Sequence, residues 1–243
     1  MQIIKDYFPG LGFCTLILFI CFLIDHYLKS QNILLSLTFI SLIFGITLSK
    51  VYLRYTRLKK FMEFSLKNLL RLGIALLGFS LSLNQLLIFG YMSVFLIILN
   101  IILIFFILYI FSNYLNLSKN FSYLIGMGTA ICGFTAIIAT SSIIKPKKNE
   151  ISYAVSIVTI FGLFTVLTYP YLSEFLFKND DILAGIFLGA SIHDTAQVSA
   201  AGMIYNETFN SENALNSAMA TKLLRNSFLI LLIPLLTLKF IKE

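Results

Sequence analysis

Asp194 and His193 sit near the middle of a long apolar stretch, 182–204. An ionised side chain at that depth in a bilayer costs roughly 2.5–3.5 kcal/mol on insertion scales, so such residues usually face a cavity, a partner or a proton path. His193 and Asp194 are therefore read as a proton-coupling pair, a purely structural Asp being the plainer alternative. If 182–204 is one helix, Gly189, His193 and Gln197 share a face at i, i+4 and i+8, and Ser191 lies just before them. Two cations stand in a second apolar stretch, 214–238, where Lys222 and Arg225 share a face at i, i+3. Snorkelling to a membrane interface is the plainer reading of that pair. The chemical reading is that one cation neutralises Asp194 in a shared polar cavity and the other leaves net positive charge, with the planar fork of Arg225 suited to an oxyanion.

A third region has the composition of a broken helix. Gly126, Gly128 and Gly133 fall within Gly126–Thr135, together with the hydroxyls of Thr129 and Thr135 and the thiol of Cys132. Glycines weaken a helix, and the hydroxyls can satisfy the backbone groups that a break frees. A break over 128–135 exposes a half-helix N-terminus, which carries roughly half a positive charge and unpaired N–H groups and so suits an anion. The other reading of the same glycines is a small-residue packing face. The candidate substrate-binding set is thus Gly128, Thr129, Cys132, Gly133, Thr135, Ser191, Gln197, Lys222 and Arg225. No metal site, cofactor or catalytic centre is expected: Cys14, Cys21 and Cys132 form no CxxC pair. A membrane-embedded enzyme with Cys132 as nucleophile and His193 as base is a distant third reading, and it requires a hydrogen bond between them.

The elements that must position these residues follow from composition. Of 243 residues, 58% are apolar and 12% charged, against about 45–50% and 25% in soluble domains. This points to an all-α polytopic membrane protein and excludes a soluble enzyme or a nucleic-acid-binding domain. A hydrocarbon core of about 30 Å needs roughly 20 residues of helix. Eight windows approach or meet that length, at 9–28, 33–49, 70–89, 91–112, 121–144, 151–176, 182–204 and 214–238, and together they make residues 1–243 a single transmembrane domain. With alternating spans, one side receives Lys5, the six basic residues of 50–69, Lys119, Lys178, Lys239 and Lys242, while the other receives Lys29, Lys145, Lys147 and Lys148. Positive loops are cytoplasmic, so both termini are expected there. The cluster Lys145, Lys147 and Lys148 fits poorly, and a re-entrant 121–144 would move every later loop to the other side. Segment 50–69 mixes basic and apolar residues, with Glu63 four before Lys67, and reads as an amphipathic surface helix or a charged connector. In the fourth window Asn100 is the one strongly polar side chain and is expected to bond across helices.

Several of these residues also carry a resemblance. Leu72–Phe79, Ile131–Ile137, Phe161-Gly162 with Tyr169-Pro170, Gly189–His193, Gln197-Val198 with Ala200–Gly202, and Lys222-Leu223 before Arg225 follow one another in the order and spacing of a known family. In these motifs the sequence resembles the YeiH-type family of bacterial inner-membrane proteins, which carries a sulfate-exporter label. The resemblance implies kinship with cation/proton antiporters and anion transporters, inverted repeats and crossing broken helices. Asp194-Thr195 stands where the family pattern has Glu-Val, which keeps a carboxylate on a shorter side chain. The resemblance further implies spans beyond Glu243, including a second segment like Leu72–Leu83. The expected function is a multi-pass inner-membrane secondary transporter exporting a small inorganic or sulfur-containing anion such as sulfate. Its expected partners are the lipid bilayer, the anion and a coupling proton, with oligomerisation left open and no nucleic acid. The alternative is a non-transporting membrane scaffold or a truncated transporter remnant.

Overall fold

The structure is a computed structural model that describes residues 2–30, 37–69, 72, 83–178, 180–211 and 213–241. Every described element is helical. The expected window 70–89 and the motif Leu72–Phe79 lie largely outside the described residues. By Cα proximity the chain divides into two compact units, residues 1–80 with 203–211, and residues 81–202 with 212–243.

The first unit contains α1 (Gln2–Ser30), α2 (Leu37–Thr47), α3 (Ser49–Arg54) and α4 (Thr56–Phe64), the last continued by a π turn over Ser65–Leu69. Helix α1 starts ahead of Pro9 and carries it inside. The amphipathic segment folds back on α1: Phe61 is buried, its ring meets Tyr7 edge-on at 6.5 Å, and a side chain at Gly10 would collide with it. Glu63 pairs with Lys59 at 3.9 Å, an exposed contact worth little.

The second unit holds α5 (Leu83–Tyr114), α6 (Lys119–Ala130), α7 (Phe134–Ile144), α8 (Lys148–Phe177), α9 (Asp181–Ser191), the start of α10 (Thr195–Phe209), α11 (Ala214–Ser227) and α12 (Leu229–Ile241). Among the described residues, four stretches are long and apolar enough to cross a membrane: Tyr7–Leu28, Ser93–Tyr114, Lys148–Phe177 and Ala214–Phe240. Apolar side chains of α5 such as Phe95, Ile102 and Phe106 are exposed, as a lipid-facing surface requires. Of the other expected spans, 33–49 is described only as the 11-residue α2, shorter than a crossing needs, and two more take another form.

The first is 121–144. Helix α6 runs inward from Ser118, whose hydroxyl caps it by accepting from Phe121 N–H at 3.2 Å. Helix α7 then returns, ended by Lys145 at φ +45° and Pro146. The return is fixed by the start of α8: the Ser118 hydroxyl donates to the Glu150 carboxylate, and Glu150 also accepts from Lys147 N–H at 2.8 Å. Residue 150 lies six positions past the end of α7, so both ends of the 119–144 segment lie at one end of the unit. Lys145, Lys147 and Lys148 therefore join Lys119, instead of standing opposite it.

The second is 182–204, which is also a hairpin. Gly185 lies against Ala214 and Ser217, and Gly189 against Ala218 and Thr221, so α9 runs parallel to α11. These approaches are close enough that any Cβ would meet backbone, the small-xxx-small packing by which membrane helices associate. Helix α10 then turns back: Thr195 bonds Asn226, whereas Gly202 lies on Leu215 near the start of α11. The helical face expected for Gly189, His193 and Gln197 does not exist, because the helix breaks at Ile192–Asp194.

The two hairpins open toward opposite ends of the α11–α12 stretch, since Tyr123 at the start of α6 meets Lys239 and Phe240 of α12. Helix α5 runs alongside, tied by a buried Ser93–Thr221 hydrogen bond at 2.8 Å and packed through Ile97 and Ile101 onto Met127, Ala130 and Ile131. The Asn100 side-chain oxygen is buried without a hydrogen-bond partner, so the interhelical bond expected of it is not made through that atom.

Candidate functional site

The turns of the two hairpins, Ile131–Gly133 and Ile192–Asp194, meet at the level of Lys222 and Arg225. Gly133 is the pivot of the first. It has φ +69°, and a Cβ placed on it would lie 3.6 Å from His193 Cβ and 3.3 Å from Val158. The glycines predict a break within 128–135, and it falls at Gly133, the one glycine with positive φ among the described residues.

Breaking a helix orphans its last carbonyls. At the end of α6, Met127 C=O accepts from Ile131 N–H at 3.2 Å and Gly128 C=O from Gly133 N–H at 2.9 Å. The next three carbonyls go to the cations. Arg225 donates through Nε to Ala130 at 2.9 Å and through Nη2 to Thr129, and Lys222 donates to Ile131 at 2.8 Å. The end of α9 is treated alike. Ile192 C=O accepts from Arg225 Nη1 and Lys222 Nζ, both at 3.0 Å, and His193 C=O accepts from Lys222. Both cations are fully buried, Lys222 at 0% and Arg225 at 1% exposure, so neither snorkels. All three ammonium protons of Lys222 are engaged, and each cation ties the two hairpins together.

Asp194, expected to interact with one of them directly or through one water, makes no direct pair with either among the described residues. It lies within electrostatic reach of Lys222. Its carboxylate caps α10 instead, accepting from Ala196 N–H at 2.8 Å while its carbonyl accepts from Val198 N–H. The direct partners of the cations are the carbonyls of two half-helix C-termini, each worth roughly half a negative charge. The N-termini of α7 and α10 return about the same amount of positive charge. With Asp194 included, roughly one positive charge remains in excess.

The remaining candidates divide. Helix α7 begins at Gly133 without a side-chain cap, so its first N–H groups have no intrahelical partner, and Thr135 is exposed beside them. Cys132 is buried in the first turn, within electrostatic reach of both cations. It makes no hydrogen bond to His193 among the described residues, and the His193 Nδ1 atom is buried without a partner. Gln197 fits against Gly162 of α8, where a Cβ would collide with it, and its Oε1 is also unpartnered. Gly128 is a packing residue: a Cβ there would come within 2.8 Å of Ile137. The Ser191 hydroxyl is spent on the Phe187 carbonyl of its own helix. The Gly185–Gly189 stripe, whose spacing was visible, went unread as the contact that holds α9 on α11. Among the described residues no cluster of side chains could hold a metal ion.

A family model described as "Conserved hypothetical protein 698" matches residues 9–243. A UPF0324 membrane protein of Streptococcus agalactiae serotype V is 30% identical over the whole of this chain, which spans 70% of that relative. A UPF0324 membrane protein of Campylobacter jejuni is 33% identical over 97% of the chain, which covers 66% of it, and one of Streptococcus pneumoniae is 32% identical over 76% of the chain, covering 55% of that protein. No solved structure matches the chain. The chain belongs to the conserved hypothetical protein 698 family, the UPF0324 multi-pass membrane proteins, which is the YeiH-type family that its motifs resemble.

Proposed function

We propose that this protein is a secondary transporter, of the exporter kind, for a small inorganic or sulfur-containing anion such as sulfate. The observation that supports this most is the pinning of two opposed hairpin tips by Lys222 and Arg225, with an uncapped half-helix N-terminus beside them. Discontinuous helices near the bilayer midplane, with N-termini aimed at an anion, are a recurrent way to build a transport site. Lys222 and Arg225 fall near the middle of the 27-residue stretch Ala214–Phe240. In this reading the anion binds the first-turn N–H groups of α7 and the Thr135 hydroxyl, with Gly133 giving it close access. The buried cations act on it through their field, because most of their donors hold backbone. Cys132 and Gln197 border the site, and His193 with Asp194 carries the coupling proton.

The order of elements supports an inverted repeat: α5 followed by the α6–α7 hairpin, then α8 followed by the oppositely directed α9–α10 hairpin. Among the described residues of this unit, Lys119, Lys145, Lys147, Lys148 and Lys239 gather at one end and Lys178 lies at the other. The positive-inside rule makes the first end cytoplasmic, in a bacterial inner membrane. A re-entrant 119–144 thereby removes the misfit of the Lys145–Lys148 cluster and keeps the C-terminal end inside.

The test is reconstitution of the full chain in liposomes loaded with unlabelled sulfate, sulfite or thiosulfate, followed by uptake of the labelled anion. Counterflow of at least one, weakened by Thr135→Val and responsive to a pH gradient, is expected. A monodisperse, folded protein that moves none of them overturns the reading.

A further inference from the structure

At the lysine-rich end of the second unit, about 20 Å along α11–α12 from Arg225 at 1.5 Å per residue, lies a cavity of about 440 Å³. Three elements build it. Helix α5 contributes Phe105, Leu108 and Tyr109 with Asn113 beyond them, α6 contributes Lys119, Ser122 and Tyr123, and α12 contributes Lys239. The residues are graded along the helices. Phe105 and Leu108 lie toward the apolar middle of the Ser93–Tyr114 stretch, where they also approach Gly126, whereas Asn113 and Lys119 lie at its end. Lys239 is held in place by donating to the Tyr123 hydroxyl, and its ammonium lies 5.1 Å from the centre of that ring. Tyr123 in turn stacks edge-on with Phe240 at 5.4 Å.

We propose that this pocket binds the phosphate headgroup of an anionic diacyl lipid. Two lysines from different helices converge with hydroxyl and amide donors at the depth of a membrane interface, which matches a phosphodiester bearing a full negative charge. The apolar floor of Phe105 and Leu108 has no use for free phosphate but suits the first methylenes of an acyl chain. Phe106 and Leu238, exposed on the adjoining faces of α5 and α12, extend that apolar surface outward. A basic pocket between transmembrane helices on the positive side is a recurrent site for such headgroups. The bound lipid bridges the start of the α6–α7 hairpin to the end of α12, so it steadies the hairpin whose tip carries the proposed anion site. The inference rests on the membrane location of the chain and not on transport.

The experiment is native mass spectrometry of the full chain in detergent, titrated in parallel with phosphatidylglycerol and phosphatidylcholine, with thermal midpoints measured in the same mixtures. Phosphatidylglycerol is expected to remain bound where phosphatidylcholine does not. In Lys119→Gln/Lys239→Gln its binding is expected to fall about thirtyfold, taking about fivefold per lysine near an anionic surface, while the midpoint in phosphatidylcholine stays unchanged. Lys119→Gln alone alters an exposed residue at a helix start and gives a folded second variant if the double one fails. Equal retention of both lipids, or undiminished phosphatidylglycerol binding to a folded variant, overturns the proposal. So does displacement of phosphatidylglycerol by millimolar inorganic phosphate, which would make the site one for free phosphate.

Discussion

The two hairpin tips solve one problem in different ways. At Ile131–Gly133 the chain reverses through a glycine at φ +69°, and the helix that follows starts with no side-chain cap. At Ile192–Asp194 no described residue has positive φ, and the following helix is capped by the Asp194 carboxylate. Both give their orphaned carbonyls to the same two cations. What differs is the positive end: one tip neutralises its own N-terminus with a built-in anion, and the other leaves its N-terminus for something else. In the proposed transport reading the anion binds at the glycine tip, because the aspartate tip supplies its own carboxylate. The first turn of α7 thus differs from that of α10 in having no side-chain cap.

Removing what the tips share has the largest effect. Arg225→Gln strips partners from the Thr129 and Ala130 carbonyls, and a buried unpaired polar group costs about 1–3 kcal/mol. Folded yield by fluorescence-detected size exclusion is expected to collapse, and Arg225→Lys to fail as a rescue because one ammonium nitrogen cannot stand in for the three separate guanidinium nitrogens that reach Thr129, Ala130 and Ile192. Next comes a change that strikes one tip only. Gly133→Ala forces a side chain into a glycine conformation at about 1–3 kcal/mol, so its thermal midpoint should fall well below that of His193→Ala, where no backbone strain arises.

Asp194 sharpens the comparison further. Asp194→Ala loses the cap of α10, at about 1 kcal/mol, whereas Asp194→Asn keeps an acceptor that caps nearly as well and should leave the midpoint almost unchanged. Combining Asp194→Asn with Lys222→Gln is expected to give a coupling of about 0.5–1 kcal/mol, because Asp194 acts on Lys222 through its field without a direct pair, and strict additivity would remove the carboxylate from the charge balance of the cations. If the same carboxylate carries the proton, Asp194→Asn also removes the pH dependence of counterflow while the protein stays folded. Thr135→Val should do least. It is exposed at the open tip, so stability is unaffected, and the loss of one hydroxyl donor, worth about 0.5–1.5 kcal/mol, raises KM for the anion roughly two- to tenfold. An unchanged KM would place the anion elsewhere.

Much of this was legible in the residues. Composition alone required a bilayer, because 58% apolar and 12% charged residues leave too little polar surface to face water. The break near Gly133 followed from local backbone preference, and the depth of Lys222 and Arg225 followed from counting residues along a span. Each of these is set within one helix, by chemistry a few residues wide. The direction of the chain after each break is not. A helix of 24 residues and a hairpin of two shorter helices present nearly the same hydropathy, and what separates them is the supply of donors for the freed carbonyls. Those donors come from 95 positions away for Ala130 with Arg225 and from 30 for Ile192 with Lys222. The break at Ile192–Asp194 escaped notice for the same reason, because Asp194 looked like a charge in need of a counter-ion when its partner was the N–H of Ala196, two residues on. Counting residues along one span is enough to say that charge is buried in a membrane and roughly at what depth. That backbone carbonyls are the direct partners of both cations depends on the fold, because the orphaned ends of two hairpins become acceptors only once those hairpins have turned.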